Sequence, residues 1–454
     1  KEALLKLKLP LWNPYLYSGY PFLAHPYNGT FYPLNLLFLT MPINVAYSWI
    51  LALHVFLAGI FMFLLSKYLV KDNWGALVSA LVFMFSGFTA TRIWAGHFEL
   101  FTTSIWIPLI FLLFYKTLEK ESFLWAIFTA AALTVQFFAG HNQTSFFTLL
   151  ILLSYTIFFC SKYWVDISNR GNLSWQELKK SDGLRNIVTT LFLFATALCF
   201  FFLFSAIQLF PTLELERLST RGSGIPFFKS AYGSFPPDHL IRFIFPDFFG
   251  DILKTLYAGD PILGEIHWEF TYYIGIIPLI MAINSIRIGL NARTKRILFL
   301  VGAFIFIISI LTRVIFLQLW VVRNHPAIAR PGLVQIVNFF EMIYNGKLSM
   351  WTILPFFVFL FIGLLLIFLC LKRKFIDPVK SNLKNDRMIL FFTVLVILGI
   401  ILAFGHYSGG LYYFLYKFFP GYSKFKWPAR HLIISNFALC VLAGYGMARL
   451  NQRH

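Results

Sequence analysis

Charged residues are scarce in this chain, and acidic ones are the scarcest. Only 13% of its 454 residues are Asp, Glu, Lys or Arg, whereas soluble domains carry about 25%. Hydrophobic residues make up 59% of the chain, and the mean hydropathy is +0.72. This balance excludes an ordinary soluble protein, so the length is no guide to the number of domains. It predicts an all-α polytopic membrane protein.

Cysteine is also rare, since the chain has only Cys160, Cys199, Cys370 and Cys440. All four lie in apolar stretches or at their ends, so we interpret them as small hydrophobic residues and not as disulfides or metal ligands. The sequence has no P-loop, no His-Glu-x-x-His and no Cys-x-x-Cys pair. It therefore does not indicate any of the soluble enzyme classes that these motifs mark.

Apolar stretches of about 20 residues, each long enough to cross a bilayer, predict about eleven transmembrane helices. They are placed at 46–66, 74–93, 99–115, 122–140, 144–161, 187–210, 268–285, 297–320, 350–371, 388–405 and 430–448. Residues 1–45 then form an opening segment, and 46–454 form the transmembrane domain. Long loops with interfacial helices are expected at 211–267, 321–349 and 406–429.

Positive charge favours one side of this topology. Every strongly basic short loop, such as 67–73 and 372–387, falls on the same side as the C-terminal tail. The positive-inside rule assigns that side to the cytoplasm, so the net charge of +19 reflects topology and does not indicate a nucleic acid partner. The opening segment and the three long loops are then external. Because an external start needs a preceding span, we expect at least one more helix upstream, which makes 12 or more in the full protein.

The opening segment combines frequent prolines with aromatic side chains. Its prolines fix φ and remove backbone donors too often for a helix; they are Pro10, Pro14, Pro21, Pro26 and Pro33. Its aromatic residues are too apolar to remain in water; they are Trp12, Tyr15, Tyr17, Tyr20, Phe22, Tyr27, Phe31 and Tyr32. The segment is therefore predicted to form a structured surface at the bilayer interface, where such rings prefer to lie.

Two short external connections share the dipeptide Gly-His. One is Gly96-His97, followed by Glu99, and the other is Gly140-His141. Each alone is explained by a glycine that ends a helix and a histidine among wet headgroups. Because both fall on the external side, together they favour a shared polar cavity.

Two further groups of charged residues lie at the predicted edges of spans. Glu269 begins an apolar stretch, where ionisable residues are costly and often functional, whereas the other charges of 211–267 fit a solvated loop. Lys424, Lys426 and Arg430 alternate with aromatic residues and lead into the last span. They predict either a site for lipid phosphate or an aromatic belt with snorkelling lysines. The second alternative is weaker for Arg430, because that residue enters the helix.

With these features the chain resembles the YfhO-like family of bacterial membrane proteins, which look like members of the GT-C superfamily of membrane glycosyltransferases. The matching segments run in order along the chain: Leu9–Tyr15 with Ser18–Pro21, Phe31–Asn35, Gly96-His97, Gly140-His141, Gln208–Pro211 with Ser219 and Arg221, Pro246–Gly250, Glu269 with Tyr273–Gly275, Pro420–Ser423 and Trp427–Arg430. The first and the last of them are the most specific.

The resemblance implies a GT-C-like fold in the plasma membrane of a prokaryote, with a cytoplasmic C-terminus. It also implies transfer of a sugar from a polyprenyl-phosphate donor to an envelope glycan or polymer on the external face. Such enzymes use an acidic residue in the first external loop. The only acid in Lys1–Lys8 is Glu2, so we expect the catalytic Asp upstream of Lys1. No cofactor is evident, and no compact carboxylate pair requires a divalent metal.

The remaining polar residues fit that chemistry, which needs a base for the acceptor hydroxyl and cations for the leaving phosphate. The supporting candidates near the sugar or acceptor hydroxyls are His97, Glu99, His141 and Glu269. The substrate-binding candidates, with the aromatic ones stacking on the sugar, are Trp12, Asn13, Tyr32, Arg221, Lys424, Lys426 and Arg430. Two alternatives stay open: a transporter or flippase for lipid-linked sugars, and a non-catalytic scaffold in envelope assembly.

Overall fold

The computed structural model describes residues 1–168, 181–250, 267–324 and 383–452. Within these ranges the chain is mostly helical, and its one sheet has two strands of two residues each. The prediction of an all-α, multi-pass membrane protein is confirmed at this level.

The α-helices of the described residues are α1 Glu2–Leu5, α2 Leu37–Thr40, α3 Ile43–Val70, α4 Asn73–Met84, α5 Gly87–Trp94, α6 Phe98–Ser104, α7 Ile107–Glu119, α8 Phe123–Phe138, α9 Asn142–Ser168, α10 Asp182–Leu218, α11 Phe227–Ser230, α12 His267–Phe270, α13 Ile276–Gly289, α14 Ala292–Asn324, α15 Leu383–Ala403, α16 Leu411–Phe418 and α17 Leu432–Asn451. The strands are β1 Trp12–Asn13 and β2 Tyr20–Pro21. Short 3-10 turns lie at Pro26–Asn28, Pro33–Leu36, Pro237–Phe243, Gly405–Tyr407, Tyr422–Lys424 and Pro428–His431.

Eight segments of the described chain are helical, long and apolar enough to cross a membrane. They lie along α3, α4 with α5, α6 with α7, α9, α10, α14, α15 and α17, and the shorter apolar helices α8 and α13 accompany them. The predicted helix at 350–371 and most of the predicted loop at 321–349 lie outside the described residues. The number eleven therefore stays a prediction.

Three predicted helices are interrupted, the one at 99–115 between Ser104 and Ile107, and the other two have interruptions that lie against each other. The stretch predicted at 74–93 stops at Met84 and restarts at Gly87, because the Ser86 hydroxyl caps the new helix. The stretch predicted at 268–285 is helical to Phe270 and again from Ile276 onward, after Gly275 with φ of +96°. The Gly87 N–H donates to the carbonyl of Tyr273 at 2.6 Å, and this contact joins α5 to the segment that follows α12.

Helix α17 forms the centre of the bundle. Nearly all of its side chains are buried, and it packs against α4, α13 and α15. Gly444 allows the close approach of α4, because a Cβ there would lie 2.1 Å from Ser79 Oγ. Small residues permit such contacts between membrane helices. The residues just before α17 are therefore attached to the most buried of the eight apolar segments.

The opening segment is ordered and largely non-helical, as its prolines predict. Strand β1 pairs antiparallel with β2, and the segment then crosses the end of α10. Thr212 Oγ1 donates to the carbonyl of Ala24 at 2.9 Å, and Gln208 Nε2 donates to that of Pro26 at 3.4 Å. These bonds fix the segment at the end of the bundle where α10 finishes.

Candidate functional site

Three charged side chains from distant parts of the chain meet at this end of the bundle. The Glu269 carboxylate lies 3.1 Å from Arg92 Nη2 and 2.7 Å from Arg430 Nη2, and it also accepts a bond from Arg430 Nε at 3.1 Å. The side chains of Arg92 and Glu269 are 0% and 1% exposed, and that of Arg430 is 16% exposed. We call these three residues the charge cluster, and Arg430 is the member that a ligand reaches.

The Arg430 side chain is directed by an unusual turn. Trp427 has φ of +66°, a conformation that costs a non-glycine residue about 1–2 kcal/mol. The turn is held because Trp427 N–H donates to Tyr232 O and Ala429 N–H donates to Gly233 O, both at 3.1 Å. The indole fills the space that a Cβ on Gly233 would occupy. Its ring centroid lies 5.7 Å from the Arg430 guanidinium, within the range of a cation–π contact.

The charge cluster carries one more positive charge than negative. Burial alone would raise the pKa of Glu269, but the guanidiniums of Arg92 and Arg430 outweigh that effect and hold the pKa at about 2. The carboxylate is therefore ionised at neutral pH and balances only one of the two arginines. No other acid forms an ion pair with either arginine within the described ranges. Because uncompensated buried charge is costly, the cluster favours an anion as its ligand.

Both Gly-His turns reach the charge cluster, as expected if they face one polar site. His97 Nδ1 lies 3.2 Å from Arg92 Nη1 and 3.8 Å from Glu269 Oε1, while His141 Nε2 lies 3.3 Å from Arg430 Nη1. Burial lowers the pKa of both imidazoles; Glu269 opposes this effect and the guanidiniums add to it. Both histidines are therefore neutral at pH 7.

Glu99 and the opening segment complete the wall beside His141. The ring of Tyr27 stacks on that of His141, with centroids 6.1 Å apart and planes 13° apart. Gly140 has φ of +107°, and a Cβ there would lie 3.2 Å from Pro26 O and 3.6 Å from Glu99 Cγ. A glycine is therefore needed for the second Gly-His turn to lie this close to its neighbours.

Sequence reasoning missed Arg92 and Gln143. Arg92 lies near the end of an apolar stretch, where a position at the membrane interface is enough to explain a charged residue. The signal that could have found it is a charged residue within a predicted span. Gln143 bridges two parts of the site, since its Oε1 accepts from Arg430 Nη1 at 3.3 Å and its Nε2 donates to Lys426 O at 2.6 Å.

Lys424, predicted to bind phosphate, is held by other groups. Its Nζ lies 2.7 Å from Glu216 Oε1 and donates to the carbonyls of Arg221 and Gly222 at 3.0 and 2.8 Å. Lys424 thus ties the end of α10 to the segment that leads to the charge cluster. Lys426 is half-buried, and its ammonium forms no ion pair with the described residues. Phosphate binding by the two lysines and by the exposed Arg221 stays a prediction.

The structure does not bring the other three predicted binding residues to the charge cluster. Trp12 and Asn13 lie in the β1–β2 hairpin, where Trp12 is 58% exposed. Tyr32 is only 1% exposed; its hydroxyl lies 2.7 Å from His54 Nε2 and accepts from Trp106 Nε1 at 3.0 Å. Its ring therefore fastens the opening segment to the bundle and has no face open for a sugar.

These features define a multi-pass α-helical membrane protein with a buried, positively charged site at one end of its bundle. Within the described ranges, no three His, Cys, Asp or Glu side chains come together as a metal site would require, and we derive no step through a metal. Comparisons with protein-family models, with curated proteins and with solved structures find no match.

Proposed function

We propose that the protein is a membrane glycosyltransferase with a GT-C-like fold. It moves a sugar from a polyprenyl-phosphate donor to an envelope glycan or polymer, on the external face of a prokaryotic plasma membrane. The observation that supports this proposal is the excess positive charge of the cluster, of which Arg430 is the accessible part. The external placement follows the charge of the loops, which also puts the C-terminus in the cytoplasm.

A lipid-linked phosphate fits the position and the chemistry of Arg430. The residue lies directly before α17, at an end of the bundle, and lipid phosphates lie at the membrane surface. A guanidinium can bind phosphate through two parallel hydrogen bonds. Arg430 Nη1 contacts two uncharged side chains, His141 and Gln143, and both distances are long for a hydrogen bond, at 3.3 Å. A phosphate would replace these two, while the bonds to Glu269 keep the side chain in place.

The surroundings of Arg430 suit a sugar and a leaving group. Tyr27 is 48% exposed and stacked on His141, so its ring is available to an apolar sugar face in a way that Tyr32 is not. In the transfer, an acceptor oxygen bonds to C1 of the sugar as the bond from C1 to the phosphate oxygen breaks. The polyprenyl phosphate leaves with that electron pair, and the charge that develops on it is stabilised by Arg430.

The decisive variant is Arg430→Ala. We expect transfer of a radiolabelled hexose from polyprenyl-phosphate hexose to the envelope acceptor fraction to fall at least about 100-fold, as when a donor to a developing oxyanion is removed. The protein should still insert and fold, because Arg92 and Glu269 remain as a balanced pair.

Arg287→Ala is the matched control, since Arg287 is an exposed arginine near the opposite end of α13. It should leave transfer unchanged. Transfer by the Arg430→Ala variant at the wild-type rate would refute the phosphate role. Movement of the labelled carrier across reconstituted bilayers without any transfer would instead support a flippase.

A further inference from the structure

Transfer at this site also requires a group that takes the proton of the acceptor hydroxyl. The candidates in or beside the charge cluster are His97, Glu99, His141 and Glu269. Their hydrogen-bond partners differ, and these partners decide which of them has a lone pair to offer. The inference rests on the proposed function, because it assigns a step within that reaction.

Its ion pairs with Arg92 and Arg430 exclude Glu269 as a base. One carboxylate oxygen contacts Arg430 Nη2, and the other contacts both Arg92 Nη2 and Arg430 Nε. A carboxylate that neutralises two guanidiniums is a weak proton acceptor, because protonation would leave both arginines buried without an acid.

The lone pairs of both histidines are directed at neighbouring groups of the site. A guanidinium has only donors, so we assign the tautomer of His97 from its arginine partner. His97 Nδ1 must accept from Arg92 Nη1, at 3.2 Å, which leaves the proton on Nε2. His141 is buried, and its Nδ1 accepts from the Thr144 N–H at 3.2 Å and lies 2.7 Å from Thr144 Oγ1. Its Nε2 faces Arg430 Nη1 at 3.3 Å, where the carrier phosphate would bind. His97 can therefore donate to a substrate through its Nε2–H, but neither imidazole has a lone pair open to the acceptor hydroxyl.

Glu99 is different, since its carboxylate forms no ion pair or hydrogen bond with any described residue. It is half-buried in the first turn of α6, two residues after His97. Its Cγ lies against Gly140, 3.6 Å from the position of a Cβ there. Gly140 in turn directly precedes His141, the neighbour of Arg430. Glu99 thus combines an unused proton-accepting group with a place in the wall of the site.

We propose that Glu99, and not the acid that the resemblance implies in the first external loop, is the catalytic base that receives the proton of the acceptor hydroxyl. As the acceptor O–H bond breaks, its proton passes to the Glu99 carboxylate and its oxygen bonds to C1 of the sugar. The bond between C1 and the carrier phosphate breaks at the same time, and the phosphate leaves with the electron pair. His97, through its Nε2–H, is placed to donate a hydrogen bond to a substrate oxygen during this step.

The test uses Glu99→Gln and Glu99→Ala in membranes that contain the complete protein. Binding of polyprenyl phosphate, which carries no sugar, should be unchanged in both variants, because Arg430 is intact. Transfer from polyprenyl-phosphate hexose should fall by about 10²–10⁴-fold. Added formate should restore part of the rate of Glu99→Ala, since an external carboxylate can enter the vacated space and accept the proton. Glu121→Gln, the same exchange at an exposed position in the turn between α7 and α8, should transfer as the wild type does.

The outcomes separate the two proposals. If the wild type transfers sugar and Glu99→Gln does so equally fast, the role of Glu99 is wrong and the proposed function stands. If the rate falls but formate does not restore any of it, a structural role replaces the role as a base. If the wild-type protein neither binds polyprenyl phosphate nor transfers sugar, the proposed function fails and this inference fails with it.

Discussion

Replacing Glu269 by Gln should destabilise the protein more than removing either arginine. The exchange keeps the shape of the side chain and removes its charge, so Arg92 and Arg430 would be left with two buried positive charges and no acid. Arg430→Ala, in contrast, leaves Arg92 and Glu269 as a balanced pair. This charge balance therefore predicts that Glu269→Gln loses more stability than Arg430→Ala.

The magnitude follows from the pKa of Glu269. The difference between its pKa of about 2 in the folded protein and the ordinary value of 4.5 corresponds to about 3 kcal/mol between the charged and neutral forms. This value agrees with the cost of breaking a buried ion pair by removing one partner, which is typically about 3–5 kcal/mol. Since the depressed pKa stabilises the fold only where the carboxylate is ionised, the difference from the wild type should be constant from pH 5 to 8. It should shrink as the pH falls from about 4.5 towards 2.

The assay is unfolding by a denaturing detergent in mixed micelles, with wild type, Glu269→Gln, Arg430→Ala and the double variant Glu269→Gln/Arg430→Ala compared. The double variant has one buried positive charge fewer than Glu269→Gln, so its loss should be less than the sum of the single losses by at least about 1 kcal/mol. A Glu269→Gln protein within about 0.5 kcal/mol of the wild type, or less affected than Arg430→Ala, would show that the charge balance does not govern this site.

Two further variants test the histidine and the turn. Buried His141 is neutral in the folded protein, whereas an unfolded histidine gains a proton below about pH 6.5. Between pH 7.5 and 5.5 the free energy of unfolding of the wild type should therefore fall by up to about 1.4 kcal/mol more than that of His141→Gln. Parallel profiles of stability against pH would contradict this. Gly233→Ala places a methyl group 2.0 Å from the ring of Trp427 and should cost at least about 2 kcal/mol and lower the rate of transfer. Gly96→Ala is the control, because Gly96 is also at positive φ but faces open space, and it should cost only about 1 kcal/mol. If Gly233→Ala and Gly96→Ala lose equal stability in a thermal scan, the contact with the indole is not the cause.

The helices were predictable because a span is encoded by a long local run of apolar residues. Their interruptions were not predictable from hydropathy, which does not register a helix that stops and restarts within an apolar stretch. The break before Gly87 depends on the cap made by Ser86, and the break before Ile276 depends on the left-handed conformation of Gly275. Both breaks matter here, because they turn α5 and α12 towards each other.

The site was predictable only in part. Glu269, Arg430 and the two Gly-His turns were found, since charged or titratable residues at the edge of a span are conspicuous. Arg92 was missed because its partner lies far away in the sequence, and no local pattern signals a pair of that kind. The buried position of Tyr32 was not predictable either, since residue type indicates an aromatic surface but does not indicate which side of the segment faces the bundle.

The separation of the charge cluster along the chain has a consequence for biosynthesis. Glu269 is made 161 residues before Arg430, and Arg92 is made earlier still, so the three side chains enter the membrane at different times. Arg92, near the end of its helix, therefore lacks its acidic partner until Glu269 has been synthesised. Arg430, in the turn just before α17, is added after both of them, and α17 then packs into the bundle. The site is therefore completed late in synthesis, and a nascent chain halted before Arg430 would hold the balanced pair of Arg92 and Glu269 without the second, accessible arginine.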